Sequence, residues 1–421
     1  MIETIGGAGG QHAASRVLLG LGATVDVEIE WDDDAVGAVA RELGVTTSDL
    51  DATASIADER SLMIALLSAV RSGRGDERFA DSSDIVRRFA ARFASHVTIG
   101  GTAVRAALIL SLLGTPSTVH TVHVDATVRR LLPTGTVVLH SGEVDSLDPH
   151  LIIQFPRGAR IRLGDGVVIA PGANRFIVAN DPPNRELALA DELPAAIGDA
   201  DVAVLSTLNA IQDEQTMNDR LSELSRMLDA ADETVIFWED AAYHAPSLRQ
   251  TAAVRMARIA DVYSMNEDEL ASFIGREVDL LDAADVAASV RELSSSLPAR
   301  IIVIHTRYWA LAYGADAEQY RVALRGGIDA ASSRYVHGDR LTEHDYTAIR
   351  SSDTRDDVLT LTRNVQEVEP LIVCEPGYEL HPERPTTIGL GDAFVGGFVA
   401  ALVRHGKQKS SVGQTDQLAA S

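Results

Sequence analysis

At 421 residues, with 46% hydrophobic side chains, the chain is long enough to bury one large core or two ordinary ones. A formal net charge of −24 argues against nucleic acid or an anionic membrane as the main partner, since either needs a basic face. The single cysteine, Cys374, excludes an internal disulfide framework and a cysteine-rich zinc site, and no apolar run approaches the roughly 20 residues that cross a bilayer, nor does the start carry a basic leader. The cytoplasm is the simplest compartment to expect.

In chain order, Gly6-Gly7-Ala8-Gly9-Gly10 lacks both a preceding strand and a following Gly-Lys-Ser/Thr, so it reads as a flexible terminus rather than a phosphate loop. Residues 15–29 run apolar through Val17-Leu18-Leu19 and then alternate at Val25, Val27 and Ile29, which predicts a strand with Asp26 near its end. Residues 32–93 have an acidic helical pattern interrupted around Ser72-Gly73-Arg74-Gly75-Asp76-Glu77. Gly100-Gly101 opens a helical run over 104–113 that ends at Gly114, and a glycine pair at a helix start lets a ligand approach the backbone. Between 117 and 176 the texture changes to short alternating strands with turns, which predicts a separate β-rich lobe.

From residue 176 onward, apolar strands at 202–205, 234–237, 301–304 and 371–374 alternate with helices near 214–228, 247–259 and 283–293. That alternation predicts right-handed crossovers and a mostly parallel sheet, with the site at the carboxyl ends of its strands. A last helix is predicted over 393–404. The expected architecture is α/β, a three-layer α/β/α domain from about 16–26, 85–116 and 176–404, with a smaller lobe from about 27–84 and 117–175 and a disordered tail at 405–421. No internal repeat is evident, and no pattern reveals an oligomeric state.

The chemistry concentrates at Thr387-Ile388-Gly389-Leu390-Gly391-Asp392. Two glycines before an apolar helix permit a tight turn that aims backbone N–H groups at a phosphoryl group, and an aspartate beside them can take the proton of an attacking hydroxyl. Helix capping is the plainer use of the same aspartate. Asn266-Glu267-Asp268-Glu269 likewise stands at a strand end and helix start. Its carboxylates can satisfy the helix dipole or hold water around a nucleotide-bound Mg²⁺.

Taken together, these segments resemble the ADP-dependent sugar kinases, the glucokinase and phosphofructokinase family within the ribokinase superfamily. Asn266 and Glu269 match the family's Asn-x-x-Glu motif, residues 387–392 its Thr-Val-Gly-Leu-Gly-Asp, and Ile99-Gly100-Gly101-Thr102-Ala103 its sugar-side Gly-Gly segment. Residues 150–158 resemble its lid segment, and Asn174-Arg175-Phe176 its Asn-Arg-Phe. Leu205-Ser206, His305-Thr306-Arg307 and the Asp26 strand follow in family order. The likeness covers about residues 16–404.

The resemblance implies a ribokinase-like fold with a lid and transfer of a phosphoryl group from ADP to a sugar hydroxyl with Mg²⁺. It makes Asp392 the base, with Gly389 and Gly391 forming the anion hole. Arg175, Asn266, Thr387 and His305 fall to the nucleotide, Asp26, Glu77, Gly100 and Gly101 to the sugar, and Glu239, Glu269 and Asp392 to the metal. The guanidinium of Arg175 offers phosphate a bidentate, permanently charged contact.

The chain also departs from the family. Phe237 stands where its His-x-Glu motif has histidine, Glu239 remains, Ala393 replaces a threonine, and Gly20-Leu21-Gly22-Ala23-Thr24-Val25-Asp26 lacks two asparagines. Glu77 points to a neutral hexose such as glucose over fructose 6-phosphate, because a carboxylate accepts sugar hydroxyls and repels phosphate. Arg157, Arg160 and Arg162 could instead receive a sugar phosphate or form a solvated face. Cys374 is expected to be a buried strand residue. An ATP-dependent carbohydrate kinase of the same superfamily, and a sugar- or nucleotide-binding homologue with impaired turnover, are the alternatives. A nicotinamide dehydrogenase would need an early Gly-x-Gly-x-x-Gly, which is missing.

Overall fold

The computed structural model describes residues 1–6, 17–142, 148–243, 245–382, 385–386 and 388–419, with backbone only for 246 and 407–419. A ten-stranded sheet forms the larger part, in the order Ile2–Thr4, Val137–His140, Ser117–Thr121, Val17–Gly20, Val202–Leu205, Val235–Glu239, Val262–Asn266, Ile301–His305, Trp309–Tyr313, Ile372–Pro376. From Val137–His140 through Ile301–His305 neighbouring strands run parallel, and the outer pairings at both edges are antiparallel.

The period-2 alternation of a strand explains why these segments are apolar throughout. Val17, Leu19, Val202 and Val204 enter the core on one face, whereas Leu18, Ala203, Leu205 and Ile236 enter the core on the other. Helices cover both faces, giving the predicted three layers. Among the described residues, no helix is long and apolar enough to cross a membrane.

The lid is a five-stranded sheet in the order Asp76–Phe79, Asn174–Ala179, His150–Phe155, Thr24–Ile29, Ser95–Gly100, with a small hairpin of Arg160–Arg162 and Val167–Ile169. Helices Asp33–Glu42, Glu59–Ser72 and Ser83–Ala90 pack against one of its faces around Leu66, Phe89, Phe155 and Phe176. These assignments move the expected boundaries. Strands Ser117–Thr121 and Val137–His140 belong to the large sheet, although the sequence pattern over 117–175 predicts the lobe. Residues 83–100 and the Asn174–Ala179 strand belong to the lid. Short alternating strands look alike in either sheet, and the partner that separates them lies far away in sequence.

The single strand expected over 15–29 is two strands, one in each sheet. The chain crosses between them at residues 21–23. A Cβ on Gly22 would stand 2.3 Å from Asn184 Oδ1 and 2.7 Å from Thr207 Cγ2, so only glycine passes there. Asn184 Nδ2 donates to the Ala23 carbonyl at 2.9 Å and to Asp181 at 2.7 Å. Below the crossing, fully buried His120 joins the Leu21 carbonyl (2.8 Å, Nδ1) to the Ala190 N–H (3.0 Å, Nε2). These two partners make it a neutral imidazole with the proton on Nδ1.

At the other end of the chain, the helix expected over 393–404 spans Leu390–Ala419. Residues 405–419, expected to be disordered, continue it. No proline follows Arg404, and Lys407, Gln408 and Lys409 are good helix formers. At the start, Ile2–Thr4 pairs with Val137–His140, so order begins before Gly6, and Gly7 to Gly10 lie outside the described residues.

Candidate active site

A cleft of about 960 Å³ opens at the carboxyl ends of the parallel strands, between the large sheet and the lid. Strand ends deliver Glu239, Asn266 and His305 into it. The lid delivers Asp26, Ile152, Arg175 and Ile177, and two helix starts deliver Gly101-Thr102 and Gly389 to Asp392.

Asp392 lies in the first turn of the Leu390–Ala419 helix, where N–H groups lack helical partners and the dipole favours an anion. The preceding turn is fixed by Arg334, whose Nε donates to the Ile388 carbonyl at 2.9 Å. Gly389 has φ +69°, and a Cβ there would come within 2.8 Å of Arg105 Cδ and 3.2 Å of Arg334 Nε. A side chain at Gly389 is therefore excluded by both conformation and space. The Asp392 side chain is 22% exposed. Burial raises its proton affinity above the usual carboxylate value, with the Glu239 charge adding to this, while the Arg105 and Arg334 charges and a hydrogen bond from Thr102 act in the opposite sense.

Beside this turn, His305 Nε2 meets Glu239 Oε1 at 2.9 Å, and the His305 ring stacks on Phe394 with centroids 4.6 Å apart. Burial lowers the His305 pKa, but the charge and hydrogen bond of Glu239 raise it further, so it lies above the ordinary histidine value. His305 thus reaches the glutamate across the sheet from two strands away, whereas Phe237, at the missing histidine position, packs into the core against Phe398. Asn266 and Glu269 form a reciprocal cap. Asn266 Oδ1 accepts from the N–H of Glu269 at 3.0 Å, and Glu269 Oε2 accepts from the N–H of Asn266 at 2.7 Å. Burial pushes the Glu269 pKa up to about 8, helped by the charges of Glu239 and Asp240 and opposed by that backbone hydrogen bond and His305. Both the capping and the cleft-lining descriptions hold for this pair.

Among the described residues, no three carboxylates or histidines form a ready-made metal cluster. The donor chemistry nevertheless suits a hard cation. Glu239 Oε2 is buried with no hydrogen-bond partner, as is Asp240 Oδ1.

On the lid side, Asp26 Oδ1 accepts from Thr24 Oγ1 at 2.7 Å and Oδ2 from Arg105 at 3.2 Å. Gly100 lies under this carboxylate rather than in the cleft wall; a Cβ there would fall 2.3 Å from Asp26 Oδ2 and 2.2 Å from Thr24 Oγ1. Gly101, with φ +90°, does line the cleft. Gly100→Ala is expected to force the Thr24 and Asp26 side chains aside and to cost about 1–3 kcal/mol of stability, read as a lower Tm in thermal unfolding. An unchanged Tm would show that the strand pair absorbs the methyl group without cost.

Arg175 is exposed at the lid rim and lines the cleft. Glu77 is exposed on Asp76–Phe79, the edge strand of the lid sheet, where its register opposite Ile177 turns it to the same face as that cleft-lining residue. Arg157, Arg160 and Arg162 stand outside the cleft lining, exposed in and beside the lid hairpin. Thr387 lies outside the described residues. Cys374 is buried, as expected.

Sequence reasoning missed Arg105 and Thr102, and an aromatic end of the cleft at Tyr308, Tyr335 and Tyr378, where the Arg355 guanidinium lies 5.3 Å from the Tyr308 ring centroid. Arg105 did leave a trace. It is the only charged residue in the apolar helix Thr102–Leu112, and such a residue is buried only when paired.

The model of the ADP-specific phosphofructokinase/glucokinase conserved region matches residues 15–395 of the chain. The chain belongs to this family. A hypothetical ADP-dependent phosphofructokinase from Pyrococcus horikoshii OT3 superimposes with a TM-score of 0.76 at 17% identity, covering 94% of this chain and 99% of that one. A phosphofructokinase from the same organism with AMP gives 0.75 at 17% identity, with 94% and 99% covered. An ADP-dependent kinase in complex with fructose 6-phosphate and ADPβS gives 0.69 at 14%, with 92% and 94% covered. No curated protein sequence matches the chain. Membership of the family makes the chain a sugar kinase, a phosphotransferase with an alcohol group as acceptor and ADP-dependent chemistry.

Proposed function

We propose that this chain transfers the terminal phosphoryl group of ADP to a hydroxyl of a neutral hexose, glucose-like rather than fructose 6-phosphate, with Mg²⁺. The observation that carries the sugar preference is the charge at the acceptor end. Arg105, the cation beside Asp26 and Asp392, is already engaged by the carboxylates of Asp26 at 3.2 Å, Glu28 at 3.9 Å and Asp392 at 3.8 Å. A sugar phosphate entering there meets carboxylates, whereas the hydroxyls of a neutral sugar can donate to them.

In this reading the sugar hydroxyl attacks the terminal phosphorus, the bond to the bridging oxygen breaks, AMP leaves, and the hydroxyl proton passes to Asp392. The N–H groups at the Gly389 turn and helix start face the phosphoryl oxygens. Arg175 on the lid binds the nucleotide phosphates, and Asn266 and His305 border them. The aromatic end at Tyr308 and Tyr378 offers a surface for the adenine. Glu239, Glu269 and Asp392 would hold Mg²⁺, which when bound would neutralise charge on the phosphates. His305 keeps the Glu239 carboxylate in place. Gly101 and Asp26 meet the sugar, and lid closure excludes water.

The reading is tested by incubating the protein with Mg²⁺, ADP or ATP, and a panel of sugars while following AMP and ADP release. AMP release with ADP is expected, with a higher kcat/KM for glucose or another neutral hexose than for fructose 6-phosphate. A higher kcat/KM for fructose 6-phosphate would overturn the sugar assignment, and no turnover with any sugar would overturn the enzyme reading.

A further inference from the structure

We propose that Arg105 is a positioning residue that ties the lid to the large domain, holding the sugar-side carboxylate of Asp26 in register with the base Asp392. The inference rests on the roles given above to those two aspartates. Its geometry stands apart from them.

Arg105 belongs to the Thr102–Leu112 helix, which packs with the large sheet around Ala106, Ile109 and Leu110. Its side chain is 5% exposed. The lid edge of the guanidinium faces Asp26 Oδ2 at 3.2 Å, Thr98 Oγ1 at 3.4 Å and Glu28 Oε1 at 3.9 Å, all through one terminal nitrogen. Nε faces Asp392 Oδ2 of the large domain at 3.8 Å. One planar fork therefore addresses both lobes at once. A lysine ammonium carries the same charge but is a point donor and cannot hold two edges.

The neighbouring glycines make room for this arrangement. Gly389 clears the Arg105 side chain, and Gly100 clears the Asp26 carboxylate that it holds. Both glycines thus serve the clamp as well as the turns in which they sit. Without the guanidinium, Asp26, Glu28 and Asp392 would face one another as uncompensated charges, the first two of them buried, and the lid strands Thr24–Ile29 and Ser95–Gly100 would be pushed from the helix start at Leu390.

The test compares full-length wild type with Arg105→Lys, because Arg105→Ala leaves the carboxylates unpaired and can lose the fold. Arg105→Lys is expected to lower kcat on the order of 100-fold with glucose while the KM for ADP stays unchanged, since a displaced acceptor costs turnover and not nucleotide binding. Small-angle scattering of the unliganded proteins is expected to show a larger radius of gyration for Arg105→Lys, as the lid swings away. A wild-type kcat in Arg105→Lys would overturn the proposal. If wild type shows no turnover with any sugar, the kinase reading fails separately, and the scattering comparison still decides this one: identical profiles would overturn it, and an expanded variant would support it.

Discussion

Asp392→Asn is expected to lower kcat by roughly 10²–10⁴-fold, the range a positioned general base contributes, with the KM for ADP little changed. The amide keeps the size and polarity of the carboxylate but cannot take the hydroxyl proton. The helix start and the Gly389 turn do not depend on the charge, because Arg334 holds the Ile388 carbonyl and Ala393 donates to Gly389 at 3.0 Å. Nucleotide binding in the variant, followed by calorimetry, should therefore survive. Turnover equal to wild type would mean that the proton leaves by another route, and the mechanism would have to be redrawn around a different base.

The second large effect concerns stability. Burial depresses the His120 pKa to about 4, against its hydrogen bond to the Leu21 carbonyl, which acts to raise it. Between about 4 and the ordinary 6.5, the unfolded chain binds a proton that the folded chain refuses. Stability is thus complete above pH 6.5 and is lost as pH falls toward 4, by about 3 kcal/mol at the lower end. Thermal unfolding of wild type and His120→Gln between pH 7 and 4.5 measures this. The variant is expected to lose less Tm than wild type across the interval. Parallel losses in the two proteins would show that His120 titrates normally.

These two residues also show what a sequence carries and what it withholds. Asp392 is legible because its setting is local: two glycines, an aspartate and an apolar helix follow one another within a few positions. The Asn266 and Glu269 pair is legible for the same reason, as a capping box whose two halves lie three residues apart. The strands 202–205 and 301–304 and the helix 214–228 were readable from period alone, and lie at Val202–Leu205, Ile301–His305 and Glu214–Leu228. Arg105 and His120 take their meaning from partners more than 65 residues away in sequence, such as Asp26 and Ala190. Glu77 lies between these cases: its local stretch resembles a sugar-binding segment, and only the register of Asp76–Phe79 opposite the cleft-lining Ile177 tells which face of the lid sheet it occupies. The misplaced lobe boundary near residue 117 has the same origin, since a short alternating strand does not declare which sheet it joins.

The lid has no continuous stretch of chain to itself. Its central strands pair Asp26 with His150, and the large-sheet strands Ser117–Thr121 and Val137–His140 are made in between. During synthesis, the strand bearing Asp26 waits more than 100 residues for its parallel neighbour, and closing so long a loop slows folding. Exposed strand edges in the interval invite wrong partners, so the lid is the part of the molecule most dependent on protection while the chain is still growing. For the same reason the lid cannot be cut out or exchanged between relatives as one segment: any graft must carry two stretches, and the crossing at Gly22 with them.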